Sequence, residues 1–432
     1  MEENVSKMSL LIFSAMLFSL AFFNYYVAGT YLYPPVIFSA YWAGVLFVLA
    51  LSGKMFYSIS YNTLFIYLMG ALAFSTGAIV PVMMRRIKKI KAYNLKTIKN
   101  KYSDVIINIG LIVSIFVFPY YCFKLYQIAS LSGFSNLWVG LRYATVYGGA
   151  RIGWLAYFIA FVRFLAVFSY IESKNVKSRK IRAYILIVLS LMYDLLSMGR
   201  TGAFSLILVL LGVKVVLDKK INFKSILIFA IISFIVFAIP AVLLGKGGST
   251  ENSLSENLRG VLNSIMVYLL GGVVAFDNVA KNPELYTGTR IITFRFFIAL
   301  LNRIGLENYD LPSFIPIETY TPAPINVYTI FFSYFLDYGY MGIFILLFII
   351  GFFSSTIFIS AYFKKSKVGI FLYGMIIAAL LVSNMGEAFF SALSYWLQAG
   401  IFLFFVYKFS TLIGIPVKDI KQTTGRVKIE KA

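Results

Sequence analysis

The chain has 432 residues, of which 60% are hydrophobic and only 13% charged, and its formal net charge is +22. That charge fraction is about half of what a soluble domain carries, which excludes a water-soluble fold. One cysteine excludes an internal disulfide or a cysteine metal cluster, and the absence of histidine removes histidine ligands and the commonest general base.

Apolar runs of about 20 residues, the length that crosses a bilayer, recur along the whole chain. The first, 8–28, follows Met-Glu-Glu-Asn, whose acidic character is unlike a cleaved signal peptide. Further spans are expected at 35–52, 63–84, 104–123, 152–171, 183–198, 202–217, 225–244, 338–362, 368–384 and 390–408. The expected fold is an all-α polytopic membrane protein of about eleven spans, a single integral membrane domain over 1–432. The interval 245–324 forms one large extracytoplasmic loop and 409–432 a cytoplasmic tail.

Sides follow from charge. Residues 85–101 hold eight positive charges and no acid, so this segment is cytoplasmic by the positive-inside rule. Alternation then places 172–182, 218–224, 363–367 and the tail from Lys408 on the same side, and all are lysine-rich. The amino terminus falls outside and the carboxyl terminus inside. The excess of positive charge therefore reads as membrane orientation, and no nucleic-acid partner is expected. The five cytoplasmic segments hold 20 Lys and 5 Arg, the remainder 6 Lys and 8 Arg. Orientation needs only positive charge, so the arginine bias outside suggests a use for the forked guanidinium, which binds phosphate bidentately.

Candidate site residues come in chain order. The loop 124–151 carries Arg142, Tyr143, Tyr147 and Arg151. Arg163 lies near the middle of its span and Asp194 in the outer half of the next, which reads as a structural ion pair. Ser197-Met198-Gly199-Arg200-Thr201-Gly202 forms an outer hairpin in which Arg200 either binds a ligand phosphate or contacts lipid phosphate. Gly245-Lys246-Gly247-Gly248 lacks the spacing and hydroxyl of a phosphate-cradling P-loop. Within the large loop, 259–281 is expected as an amphipathic or half-inserted helix with the stripe Val261, Ile265, Leu269 and Val273. Asp277 stands near its polar end, as a base or merely solvated.

Thr287-Gly288-Thr289-Arg290 is a plausible helix start, and the helix expected over 290–304 embeds Arg290, Arg295 and Arg303 in an apolar sequence. Such arginines are costly unless paired; anion binding explains them, and so does snorkelling to head groups. The proline-rich stretch Asp310 to Pro324 presents Glu318 and Tyr320. Asn326-Val327-Tyr328-Thr329 leads to a short surface helix, then Asp337-Tyr338-Gly339 and Met341-Gly342 turn into the next span. Asp337 either caps that helix or serves the site. No metal-ligand cluster appears.

The Ser-x-Gly-Arg-Thr-Gly turn, the long external loop, Asn326-Val-Tyr-Thr, and Asp337-Tyr-Gly followed by Met-Gly resemble Wzy-type oligosaccharide repeat-unit polymerases, which include O-antigen and capsule polymerases. The resemblance covers roughly 135–360 and includes an arginine at the position of Arg142. It implies a glycosyltransferase of the membrane-embedded GT-C class in the bacterial cytoplasmic (inner) membrane. Such enzymes transfer the growing glycan from undecaprenyl pyrophosphate to the non-reducing-end sugar of a new lipid-linked repeat unit, on the extracytoplasmic face. The implied partners are the undecaprenyl-pyrophosphate-linked oligosaccharide, membrane lipids, a chain-length regulator and a flippase; no cofactor is implied. Related ligases are associated with an external histidine, which this chain lacks.

The residues suit that chemistry. Arg200, Arg290 and Arg295, with Arg142, are placed to stabilise a departing pyrophosphate. Without histidine, the base for the acceptor hydroxyl is expected to be a carboxylate, from Asp277, Glu318 or Asp337. Tyr320 and Tyr328 offer faces for sugar rings, and Asn326 lies between them. The alternative is a transporter, a flippase or exporter of lipid-linked oligosaccharide. It would line several spans with charge, whereas here charge concentrates in one external loop.

Overall fold

The computed structural model describes residues 5–88, 101–146, 152–174, 176–197, 200–220, 223–243, 254–283, 291–306, 308, 319–321 and 324–412. Among these, the chain is almost entirely helical. The helices are α1 (Lys7–Ala28), α2 (Pro34–Leu51), α3 (Tyr61–Lys88), α4 (Lys101–Ser130), α5 (Leu137–Val146), α6 (Leu155–Ser173), α7 (Lys177–Leu196), α8 (Arg200–Asp218), α9 (Phe223–Leu243), α10 (Leu254–Lys281), α11 (Arg295–Arg303), α12 (Phe331–Phe358), α13 (Lys367–Leu381) and α14 (Leu393–Leu412). Two-residue strands, β1 (Thr319–Tyr320) and β2 (Pro324–Ile325), pair antiparallel.

Among the described residues, eight helices are long and apolar enough to cross a membrane: α1, α2, α3, α4, α6, α8, α10 and α12. The remaining expected spans coincide with α7, α9, α13 and α14, of which α9, α13 and α14 are apolar with shorter described stretches. Large apolar side chains point outward, as on α4, where Phe116 is 77% exposed; a bilayer is the solvent such a surface needs. Local signals set the helix ends. Ser6 Oγ accepts from Ser9 N (3.1 Å) to start α1, and Gly29, at φ 69°, ends it with its N–H on the Tyr25 carbonyl.

One core joins α1, α2, α3, α10 and α12 around Trp42, whose ring lies 4.8 Å from Tyr67 and 5.0 Å from Phe331. A second joins α6, α8, α13 and α14 around Phe164, Phe371 and Phe402. α3 and α12 pack backbone to backbone: a Cβ on Gly77 would strike the Phe348 carbonyl, and one on Gly351 the Phe74 carbonyl. Close packing through small residues is how helices associate without a hydrophobic drive between them.

Contacts sort the helix ends into two groups. Asp104, Glu172, Arg179, Arg182 and Lys367 form one ion-pair network and Lys174, Lys214 and Asp218 a second, and Arg85 lies over the Phe363 ring at the same end. The described parts of four of the segments expected on the cytoplasmic side therefore meet at one lysine-rich end. At the other end, Val5 N donates to Ile59 O (3.1 Å), Tyr340 hydroxyl to Asn62 (2.6 Å), and Ser60 to Asp277.

Two features depart from expectation. The interval 245–324 contains α10, itself long and apolar enough to span, and its C-terminal half is no surface helix: Val273, Val274, Ala275, Phe276 and Asp277 are all fully buried. The reason lies at Gly271 and Gly272. Without side chains there, Ile325 and Thr321 approach the first, and the Asn384 carbonyl the second. The second departure is the stretch 331–338, expected on the surface. Gly339 has φ 60° and ψ −148°, a combination open essentially to glycine alone. The chain folds back there. A Cβ on Gly342 would meet the Tyr334 carbonyl, and Phe331 and Leu347 both contact the Gly70 position. The arm 331–336 therefore lies largely buried beside the first turns of the long helix that follows it, and Tyr338 is exposed where the chain turns.

Candidate functional site

The end opposite the lysine-rich network collects the head of α3, the head of α8, α5, α10 and the non-helical turn 382–392. Arg200 opens α8, and its guanidinium lies within charge range of Arg142 on α5 and of the Tyr268 hydroxyl on α10. No carboxylate pairs with either arginine among the described residues. α5 is fixed for this by Asn136, whose Oδ1 accepts from Trp138 N (2.9 Å) and Val139 N (3.3 Å), and by Leu141, packed with Leu125, Ile128 and Leu155. Arg142 itself is exposed and Arg200 half-buried. Two unneutralised guanidiniums repel, and an anion between them, taken bidentately by each fork, removes that repulsion.

The turn that carries Arg200 rests on a buried ion pair. Arg163 of α6 and Asp194 of α7 pair bidentately through one guanidinium edge, with Nε 2.9 Å from Oδ2 and Nη2 on Oδ1. The hydroxyl of Tyr395 on α14 also reaches Arg163. Gly202 lies against the pair: a Cβ there would come 2.5 Å from Asp194 Oδ1 and 2.9 Å from Arg163 Cζ. Ser197 Oγ donates to the Asp194 carbonyl (2.9 Å) and closes α7. The expected structural pairing of Arg163 with Asp194 is thus present, and it doubles as the floor of the Arg200 turn.

Asp277 is fully buried, and its Oδ2 has an ion-pair partner but no hydrogen bond among the described residues. Its Oδ1 accepts from Ser60 N (2.8 Å) and Ser60 Oγ (2.6 Å), and Lys281 Nζ lies 2.7 Å from Oδ2. It ties α10 to the head of α3. Asp337, just after the buried arm, accepts from Thr293 N through Oδ2 (2.7 Å) and so holds the turn that opens α11. Its other oxygen, Oδ1, is buried without a hydrogen-bond partner among the described residues. Arg295 begins α11, which starts later than the helix expected over 290–304, and Arg303 ends it exposed. Tyr328 is buried, its ring stacked 4.1 Å from Phe332, so protein covers a face expected to meet sugar. Asn326 is exposed. Arg290 and Glu318 lie outside the described residues, as does the side chain of Tyr320.

Three contributors were not singled out from the sequence. Tyr268 had no distinguishing neighbour. Asn384 accepts the Tyr41 hydroxyl (2.5 Å) and donates to the Leu269 carbonyl (2.8 Å), seating the middle of α10. Glu387 accepts from the Tyr334 hydroxyl (2.7 Å) and from the backbone N–H groups of Phe389 (2.6 Å), Phe390 (2.9 Å) and Ser391 (2.5 Å). A signal for it existed: Glu387 is the only acid between Asp337 and Asp419. Among the described residues no group of acids and cysteine is arranged to hold a metal ion. Compared with known proteins, the chain matches no family model, no characterised protein and no solved structure.

Proposed function

We propose that this chain is a membrane glycosyltransferase that polymerises lipid-linked oligosaccharide repeat units in a bacterial cytoplasmic membrane. The observation that carries the reading is the meeting of Arg142 and Arg200 beside Tyr268, at the end of the bundle opposite the lysine-rich network. With lysine on the cytoplasmic side, the arginine pair faces outward, where nucleotides are absent and a polyprenyl pyrophosphate is the activated donor at hand. Its doubly charged leaving group suits two forked donors better than one.

In this reading the bond between the donor sugar C1 and the pyrophosphate oxygen breaks as a bond from C1 to the acceptor hydroxyl oxygen forms. The hydroxyl proton passes to a carboxylate, and the undecaprenyl pyrophosphate leaves with its charge on Arg142 and Arg200. Loss of one such donor costs about 3 kcal/mol of transition-state stabilisation, a hundredfold in rate. Asp337 is the better base among the described carboxylates: Asp337 Oδ1 and Asp277 Oδ2 are both buried without a hydrogen bond, but the Asp277 oxygen is ion-paired with Lys281 and the Asp337 oxygen is not.

The test is incubation of purified protein with a defined lipid-linked repeat unit. A ladder of products is expected from the wild type and from none of Arg200→Lys, Arg142→Lys or Arg295→Ala, all retained in the membrane. No ladder from wild type, with transport of the unit across a vesicle membrane instead, would make the chain a transporter. Normal ladders from both lysine variants would remove the arginine pair from the site.

A further inference from the structure

The lysine-rich end contains a further group of cations that the ion-pair networks do not use. Each described acid there is already committed. Asp104 pairs with Arg179 and Arg182, Glu172 with Arg179 and Lys367, and Asp218 with Lys174 and Lys214. Arg85, Lys219 and Lys365 remain without an acidic partner among the described residues.

These three are nevertheless drawn together. After α12 the chain makes one turn of π-helix, Ile359–Phe363, a form that recurs at functional sites. It sets the Tyr362 and Phe363 rings perpendicular, 4.9 Å apart. Arg85, at the end of α3, sits 3.1 Å over Phe363, and Lys219, after α8, sits 4.6 Å over Tyr362. Ring faces attract cations, so the π-turn gathers cations from two other helices. Lys365, two residues beyond the π-turn, is close enough to Lys219 that the two ammonium groups repel; burial first, and then Lys365, hold the Lys219 ammonium below its usual range.

The backbone points the same way. Among the described non-glycine residues only Lys219 (φ 54°) and Lys365 (φ 53°) adopt positive φ. Each follows a helix end, where glycine is the unstrained residue. A helix C-terminus does favour a cation, which accounts for either lysine singly. It does not account for two strained lysines placed against each other, with an arginine on the adjoining ring and no counter-charge.

We propose that Arg85, Lys219 and Lys365, gathered by the Tyr362–Phe363 turn, form a binding site for a phosphate group, supplied by an anionic lipid head group or by a free phosphate compound. Arg85 offers a planar fork and the lysines two point charges. Negatively charged head groups concentrate at this level of a bacterial membrane if the end is cytoplasmic.

The positive φ provides a test that does not endanger folding. Lys219→Gly and Lys365→Gly remove the ammonium groups while relieving the backbone, so their ligand-free unfolding temperatures should equal or exceed that of wild type. The full-length protein in detergent is titrated with short-chain phosphatidic acid, with inorganic pyrophosphate and with phosphatidylcholine, and unfolding temperature and lipid retention by native mass spectrometry are followed. Wild type should be stabilised by a phosphate ligand and not by phosphatidylcholine. The double glycine variant and Arg85→Gln should need at least tenfold more of it, whereas Lys180→Gln, which removes one charge at the same end as Arg85→Gln does, should behave as wild type. A response to phosphatidic acid alone identifies a lipid head group; an equal response to pyrophosphate identifies a free phosphate compound. Wild-type titrations in the glycine variants, or a loss in Lys180→Gln as large as in Lys365→Gly, would overturn the site.

Discussion

Gly202→Ala is the sharpest perturbation of the arginine end, because one methyl group tests the support of Arg200. The new Cβ would lie 2.5 Å from Asp194 Oδ1 and 2.9 Å from Arg163 Cζ, closer than such atoms approach, so either α8 moves or the pair opens. Overpacking costs about 1–3 kcal/mol, and separating a buried pair about 3–5 kcal/mol; the side chains of Arg163 and Asp194 are only 20% and 2% exposed, so water compensates little. Against this, alanine gains roughly 0.5–1 kcal/mol over glycine within a helix. The expected net loss is about 2–3 kcal/mol. It should appear as a lower midpoint of denaturant unfolding in mixed micelles and as loss of activity, since Arg200 lies two residues away. The same change in an Arg163→Met, Asp194→Leu background, where the pair is replaced by apolar groups, should cost under about 1 kcal/mol. Equal costs in the two backgrounds would refute the claim that Gly202 is needed by the ion pair.

Three other substitutions have defined outcomes. Asp277→Ala leaves the Ser60 N–H and Lys281 without their partner and should destabilise by about 3–5 kcal/mol, read by the same unfolding measurement; wild-type stability would show that α10 is not anchored there. Glu387→Gln sets an amide group against one of the backbone donors at Phe389, Phe390 or Ser391, for a loss of about 1–3 kcal/mol, seen as faster proteolysis within 382–392; unchanged cleavage would count against the carboxylate as organiser of that turn. Gly339→Ala forces a side chain into a glycine-only conformation at about 1–3 kcal/mol, and should lower folded yield more than Gly400→Ala, where a Cβ meets nothing within 4 Å.

The helices were legible because apolar length is a property of the local sequence, and the segregation of lysine made their common end legible too. What escaped were contacts between distant segments. The stripe Val261, Ile265, Leu269 and Val273 describes a helix with one apolar face, but α10 is buried on all sides past Leu270, because Gly271 and Gly272 admit Thr321, Ile325 and Asn384. The Gly271-Gly272 pair does signal a close approach or a break, but nothing local to α10 says which distant segments make the approach. Gly339 reads as a turn in the sequence and is one, yet the direction of the arm before it depends on Phe331 packing against Trp42 and Tyr67, about 260 to 290 residues away in the chain. Arg142 and Arg200 were each singled out; that they meet, and that Tyr268 joins them, is information carried only by the packing of α5, α8 and α10.

The structure also changes what the arginine bias means. Counting arginines outside the lysine-rich segments treats them as equivalent, but their partners differ. At the lysine-rich end, Arg179 grips Asp104 with Nε at 2.9 Å and Nη2 at 2.6 Å, and Arg182 holds Asp104 and Asn108; there the fork is used to hold α4 to α7. At the other end Arg163 is used in the same way, on Asp194. A fork spent on a carboxylate is not available to a ligand, and removing its partner would strand a buried charge. The distinction that bears on function is therefore between arginines with an acid and those without one. Arg142 and Arg200 belong to the second group among the described residues, and they stand together. A sequence that wanted only orientation would not place two arginines without an acidic partner within charge range of each other on separate helices, nor build a buried ion pair and a bare glycine beside one of them. Under the proposed function, the missing negative charge is that of the pyrophosphate-linked substrate.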